Sequence, residues 1–105
     1  MIETYPDTEP TRAEVDALPG ATLLEFGSPT CGYCRRTQPL LREALEAHVG
    51  VRHVKVGDAS GRRLGRSFRV KLWPTLVFLD NGKEVARRVR PADAAEIAKA
   101  LEMIE

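Results

Sequence analysis

The stretch Glu25-Phe26-Gly27-Ser28-Pro29-Thr30-Cys31-Gly32-Tyr33-Cys34 decides the reading of the chain. Residues 21–27 are apolar apart from Thr22 and Glu25, of strand length and bounded by turn formers, which suits a strand covered on both faces. Glu25 is the anomaly within it. After Ser28-Pro29-Thr30 the cysteine pair opens a helix expected to reach about His48. Leu40, Leu41, Ala44, Leu45 and Ala47 form its apolar stripe, Gly50 ends it, and Pro39 should kink it. Two cysteines this close cannot staple a fold, because the loop they close is too short to restrict the unfolded chain much. Their pairing is chemical. A helix N-terminus presents free amides and partial positive charge, which favour the thiolate of Cys31, and two residues of spacing let Cys34 reach it. Cys31 is expected to attack, with Cys34 buried and protonated until a mixed disulfide on Cys31 must be resolved.

Working outward, residues 1–10 read as a polar, proline-containing arm and residues 11–105 as one domain. Thr11-Arg12-Ala13-Glu14 is a capping box that starts a short helix over residues 12–18, stopped by Pro19-Gly20. Residues 51–56 alternate apolar with polar as a strand, and the Arg-rich residues 60–68 suggest a short helix. Residues 75–79 are the clearest strand. Asp80-Asn81-Gly82-Lys83 is a hairpin signal leading to an antiparallel return over residues 84–89, and Pro91 opens a last helix with Ala94, Ile97, Ala98, Leu101 and Ile104 on one face. The order helix, strand, helix, strand, helix, strand, strand, helix predicts an α/β fold with a central mixed sheet of about four to five strands flanked by helices.

The bulk numbers bound the function. With 105 residues, 43% hydrophobic, the chain buries one core without staples. Sixteen basic residues balance 15 acidic ones for a net charge of +1, so no overall field draws it to nucleic acid or anionic lipid. The first residues carry neither a basic nor an apolar targeting region, and no stretch is long enough to span a bilayer. The expectation is a cytoplasmic monomer without nucleic-acid or membrane partners.

Several signatures at matching offsets make the chain from about Ala21 onward resemble the thioredoxin family. They are Cys31-Gly32-Tyr33-Cys34, Pro39 five residues after the second cysteine, and Trp73-Pro74-Thr75 leading into the strand that ends at Asn81-Gly82. The resemblance implies a thioredoxin-like fold and a thiol-disulfide oxidoreductase. Such a protein reduces disulfides in protein substrates and is recycled by a thioredoxin-reductase-like or other electron donor. It implies no cofactor beyond the redox-active Cys31-Cys34 pair. It also implies that Pro74 is cis and sits against the disulfide, leaving the backbone of Trp73 free to pair with an extended substrate.

Glu25 stands six residues before Cys31, where the family places a buried acid that manages the proton of the resolving cysteine. Desolvation beneath the dithiol would raise its pKa and let it exchange a proton near neutral pH. A glutamate snorkelling from the strand edge is the bland alternative. Lys55 is the candidate basic partner of Glu25. Three departures from the family pattern mark the rim. Thr30 replaces the usual tryptophan, Gly32-Tyr33 replaces Gly-Pro as in some periplasmic disulfide isomerases, and Trp73 and Arg90 replace small residues. Changes in the dipeptide move the reduction potential by on the order of tens of millivolts. With Arg90 beside the rim, acidic substrates would be favoured.

Three rival readings stand beside this one. Cys31, Cys34, His48 and His53 satisfy a loose zinc pattern, but the histidines fall on different elements and no hairpin precedes the cysteines, so no metal site is expected and both histidines read as exposed or capping. The arginines at 62, 63, 66, 69, 87 and 88 read as a solvated face, with no aromatic interleaving to suggest nucleic acid. Functionally, the alternatives are a binding or chaperone-like module with an idle or regulatory dithiol, and a disulfide isomerase or oxidant.

Overall fold

The computed structural model describes residues 5–105. Its elements are α1 (Arg12–Asp16), β1 (Ala21–Gly27), α2 (Gly32–Leu45), β2 (Arg52–Gly57), α3 (Arg63–Ser67), β3 (Thr75–Asp80), β4 (Lys83–Val89) and α4 (Ala94–Glu102). The strands form one mixed sheet in the order β2-β1-β3-β4. β1 pairs in parallel with β2 and antiparallel with β3, which puts it inside the sheet and accounts for its nearly unbroken apolar run.

Period-two alternation along β1 sorts the core into two layers. Leu23 packs with Leu76 and Phe78 of β3 against Leu41 of α2 and Ile97 and Leu101 of α4. Leu24 and Phe26 face the other way, against Val15, Leu64 and Phe68 around α1 and α3. Glu25 therefore shares the face of Leu23 and points toward α2. Each large side chain so buried contributes about 1.5–3 kcal/mol, so the two layers together hold the sheet rigidly beneath the cysteines.

Local chemistry sets the element ends. The capping box at Thr11 forms on both sides: Glu14 N–H donates to Thr11 Oγ1 at 3.1 Å and Thr11 N–H to Glu14 Oε1 at 2.8 Å. Asn81 and Gly82 have φ of 51° and 80°, as a two-residue hairpin of the I′ kind requires. The last helix starts later than Pro91 suggests, because Asp93 is its N-cap and accepts from Glu96 N–H at 2.9 Å. The second helix ends at Leu45, short of His48, and runs on through Pro39.

Residues 5–10 do not behave as an arm outside the domain. Tyr5 hydrogen-bonds Glu25 at 2.9 Å, and Glu9 Oε2 accepts from the backbone N–H groups of Arg63 and Leu64, capping α3. A polar composition hid these contacts, which are long-range and made by single side chains.

Candidate active site

Cys31 is the N-cap of α2, with extended backbone at φ −86° and ψ 118°. Its sulfur accepts from the backbone N–H of Cys34 at 3.1 Å, and lies 3.8 Å from the Trp73 carbonyl oxygen. The first turn of α2 holds no acidic residue, so its free amides face the Cys31 sulfur unopposed. Both cysteines are free thiols, Cys31 half-buried and Cys34 only 2% exposed. Burial, followed by the hydrogen bond with Cys31, pushes the Cys34 thiol up to about 12. The two sulfurs are thereby set apart. One is open at a helix N-terminus and the other is held protonated within reach of it.

Beneath them Glu25 is fully buried and is the hub of a polar cluster. Its Oε2 accepts from Tyr5 Oη at 2.9 Å and Gln38 Nε2 at 2.8 Å, and its Oε1 meets His53 Nε2 at 2.8 Å. Lys55 Nζ lies 3.9 Å from Oε2 and donates to Gln38 Oε1 at 2.9 Å. The sheet register explains the arrangement, since Glu25 pairs with Lys55 and Leu23 with His53, placing all of these on one face. The expected rise in the Glu25 pKa does not occur. Burial pushes it up, but the hydrogen bonds from His53 and Gln38 and the charge of Lys55 outweigh burial and hold the carboxyl below its usual value. Nor is His53 an exposed or capping residue, as the sequence suggested. His48, five residues before His53, binds a different carboxylate, Glu105 Oε1, at 2.6 Å.

The rim is built by the loop before β3 and the end of β4. The Trp73-Pro74 peptide bond is cis, and the Trp73 indole is fixed by a 2.8 Å hydrogen bond from Nε1 to Asp58 Oδ2. Arg90, at φ 50°, donates from Nε to the Trp73 carbonyl at 2.9 Å, so that carbonyl is engaged and not free as the resemblance implied. Tyr33 is 46% exposed, and the guanidinium carbons of Arg90 and Arg36 lie 3.9 and 4.6 Å from its ring centroid. Thr30 is exposed and tied to Ser28 Oγ, and Gly32 opens toward solvent with only Arg35 near the place of its missing Cβ. Tyr5, Gln38, Asp58 and Arg36 join the site without having been singled out by the sequence, and His53 joins it in a role the sequence did not assign.

The thioredoxin family model matches residues 7–103. The chain belongs to the thioredoxin family. Among solved structures it is similar to thioredoxin 2 from Pseudomonas aeruginosa PAO1 in its reduced form, with 54% identity and a TM-score of 0.84, covering 93% of this chain and 91% of that one. Among curated proteins it is similar to the thioredoxins of Haemophilus influenzae (32% identical, covering 72% of each chain) and Chlamydia trachomatis (36% identical, covering 76% of this chain and 78% of that one). The match to the protein disulfide-isomerase erp38 of Neurospora crassa is partial: 42% identity over 60% of this chain but 18% of that protein. The chain also spans 34%, 55% and 56% of three further relatives that it matches. The thioredoxin family is one of thiol-disulfide oxidoreductases, and the mixed four-stranded sheet flanked by helices is its fold. Among the described residues no helix is long and apolar enough to cross a membrane.

Proposed function

We propose that this thioredoxin reduces disulfides of protein substrates through Cys31 and Cys34. The Cys31 thiolate attacks a substrate disulfide, forming a mixed disulfide and releasing one substrate thiolate. Cys34 then attacks Cys31, the second substrate sulfur leaves, and the Cys31-Cys34 disulfide returns to the dithiol with electrons from an external donor of the thioredoxin-reductase kind. The contrast between the two sulfurs carries this reading: Cys31 caps a helix, and Cys34 is buried and protonated. The extended substrate is expected to lie along Thr30, Gly32, Tyr33 and the backbone at Trp73-Pro74. Lys55 and His53 keep Glu25 ionised, so its role is to anchor the base of the site. A cytoplasmic location is in keeping with the two bacterial thioredoxin relatives.

The test is a glutathione redox titration followed by the fluorescence of Trp73, the sole tryptophan. A single two-electron transition is expected, and it disappears in Cys31→Ser. If no transition occurs and Cys31→Ser keeps full activity, the binding-module reading replaces this one. A midpoint more reducing than the glutathione pool corresponds to net reduction of substrates.

The rim also supports a preference for acidic substrates. Arg36 and Arg90 border a cleft of about 410 Å³ with Tyr33, Leu40 and Pro91, and neither has a carboxylate partner among the described residues. Each exposed ion pair gained with a substrate is worth about 0.2–1 kcal/mol. The Arg36→Ala/Arg90→Ala double variant should therefore reduce an acidic peptide disulfide about two- to thirtyfold more slowly, while a basic peptide is unaffected or gains. High salt should erase the difference. Equal rates on the two peptides in the unaltered protein would remove this preference.

A further inference from the structure

The Tyr5 ring lies between Glu25 and Cys34. Its hydroxyl donates to Glu25 Oε2 at 2.9 Å, and Tyr5 and Cys34 line the same small crevice. Gly27 makes the approach possible: a Cβ at that position would lie within 3.0 Å of both Tyr5 Oη and Cys34 Sγ. Gly57 gives way to the same side chain, with Tyr5 Cβ only 3.3 Å from where its own Cβ would stand, and Lys55 Nζ lies 4.8 Å from the ring centroid. A residue from before the first helix is thus seated in a slot made by two strand-end glycines, beside the resolving sulfur.

We propose that Tyr5 is a catalytic hydrogen-bond donor that changes partner during the cycle: its hydroxyl is held by Glu25 in the dithiol and turns to Cys34 as that sulfur becomes the attacking thiolate. The proposal rests on the two-cysteine mechanism above and adds a residue to its second step. In that step the Cys34 thiol releases its proton to solvent. The crevice lined by Tyr5, Ser28, Pro29, Cys34, Arg35 and Gln38, of about 10 Å³, has room for one water molecule beside the sulfur. The Cys34 electron pair then forms the bond to Cys31 Sγ. The bond from Cys31 to the substrate sulfur breaks, its pair leaves on the substrate thiolate, and that thiolate takes a proton from solvent. Two electrons pass to the substrate and the dithiol becomes the disulfide.

Glu25 is a poor acceptor for the thiol proton, because His53, Gln38 and Lys55 already satisfy its charge and depress its basicity. In a buried place the nascent thiolate has the Ser28 backbone N–H as a donor and needs a second. A phenol that rotates about its C–O bond supplies one without moving the ring. After the Ser28 backbone N–H, the Tyr5 hydroxyl works to lower the pKa of Cys34, against the burial and the Cys31 neighbour that raise it.

Mixing the reduced full chain with the aromatic disulfide 5,5′-dithiobis(2-nitrobenzoate) in a stopped flow separates the two steps. The first burst of coloured thiolate reports attack by Cys31, and the second reports expulsion by Cys34. A hydrogen bond to a charged group is worth about 1.5–3 kcal/mol, so Tyr5→Phe is expected to slow the second burst about ten- to a hundredfold and leave the first unchanged. Its rising pH limb should move to higher pH. Independently, the Cys34 thiolate in a Cys31→Ser background should form at higher pH when Tyr5→Phe is added. A second burst within about twofold of the original with the same pH limb overturns the proposal, as does equal slowing of both bursts, which would mark a packing role. Absence of the first burst in the unaltered protein would instead sink the two-cysteine mechanism itself.

Discussion

Cys34→Ser is expected to stop the protein after a single attack, leaving substrate covalently attached to Cys31. Cys31 itself keeps what its attack needs, the extended N-cap geometry and the backbone N–H of residue 34 at 3.1 Å, because serine retains that N–H. Resolution, by contrast, depends on a second sulfur one turn along α2. Effective molarities of well-placed intramolecular groups reach about 10⁵ M or more, which an external thiol cannot match. Turnover should fall by at least roughly a thousandfold, while the first-step rate stays within a few-fold of the original. Mass spectrometry of the quenched reaction should show a one-to-one adduct that dithiothreitol removes. Multiple turnovers by the variant without added thiol would show that Cys34 is dispensable and that the second sulfur comes from elsewhere.

The parts of this site visible in the sequence are those whose cause is local. Cys31 and Cys34 announce themselves because a strand, a short turn and a helix start lie within ten residues of each other. Asn81-Gly82 fixes the hairpin because only residues tolerant of positive φ close a two-residue loop of that hand. Lys55 is placed opposite Glu25 by strand pairing, as its candidate partnership required.

His53 could have been found by the same logic. It is two residues before Lys55 and so shares its face of β2. Gln38, four residues after Cys34 on α2, likewise falls on the helix face that carries the dithiol. Tyr5 had no such signal. It lies 20 residues from Glu25 in sequence, in a segment whose composition reads as an arm, and nothing local records the slot that Gly27 and Gly57 open for it. The Glu25 pKa went the wrong way for a related reason. Burial could be inferred from the strand, whereas the number of donors around the carboxylate depends on α2, β2 and the segment before α1 meeting there.

That cluster also carries the largest effect expected on stability. Glu25→Ala would leave Tyr5 Oη and His53 Nε2 without their carboxylate partner, Gln38 Nε2 with the Cys34 carbonyl alone and Lys55 without its counter-charge, all around a cavity in a fully buried position. Removing one partner of a buried ionic cluster costs about 3–5 kcal/mol, which for a domain of this size lowers Tm by roughly 15–30 °C. Glu25→Gln keeps the shape and one acceptor oxygen, so its loss should be smaller. The pH dependence separates charge from packing. The folded-state pKa of Glu25 lies below its ordinary value of 4.5, because the hydrogen bonds from His53 and Gln38 and the charge of Lys55 outweigh the upward push of burial. A depressed carboxyl binds its proton less tightly folded than unfolded, so its stabilisation is complete above about pH 4.5 and is lost as pH falls through the folded value. Urea unfolding of the original protein and Glu25→Gln should therefore differ most at neutral pH and converge on acidification below pH 4.5. A gap that stays constant down to the acid limit would show that the carboxylate's charge contributes nothing, and that Glu25 is held in place by its shape alone.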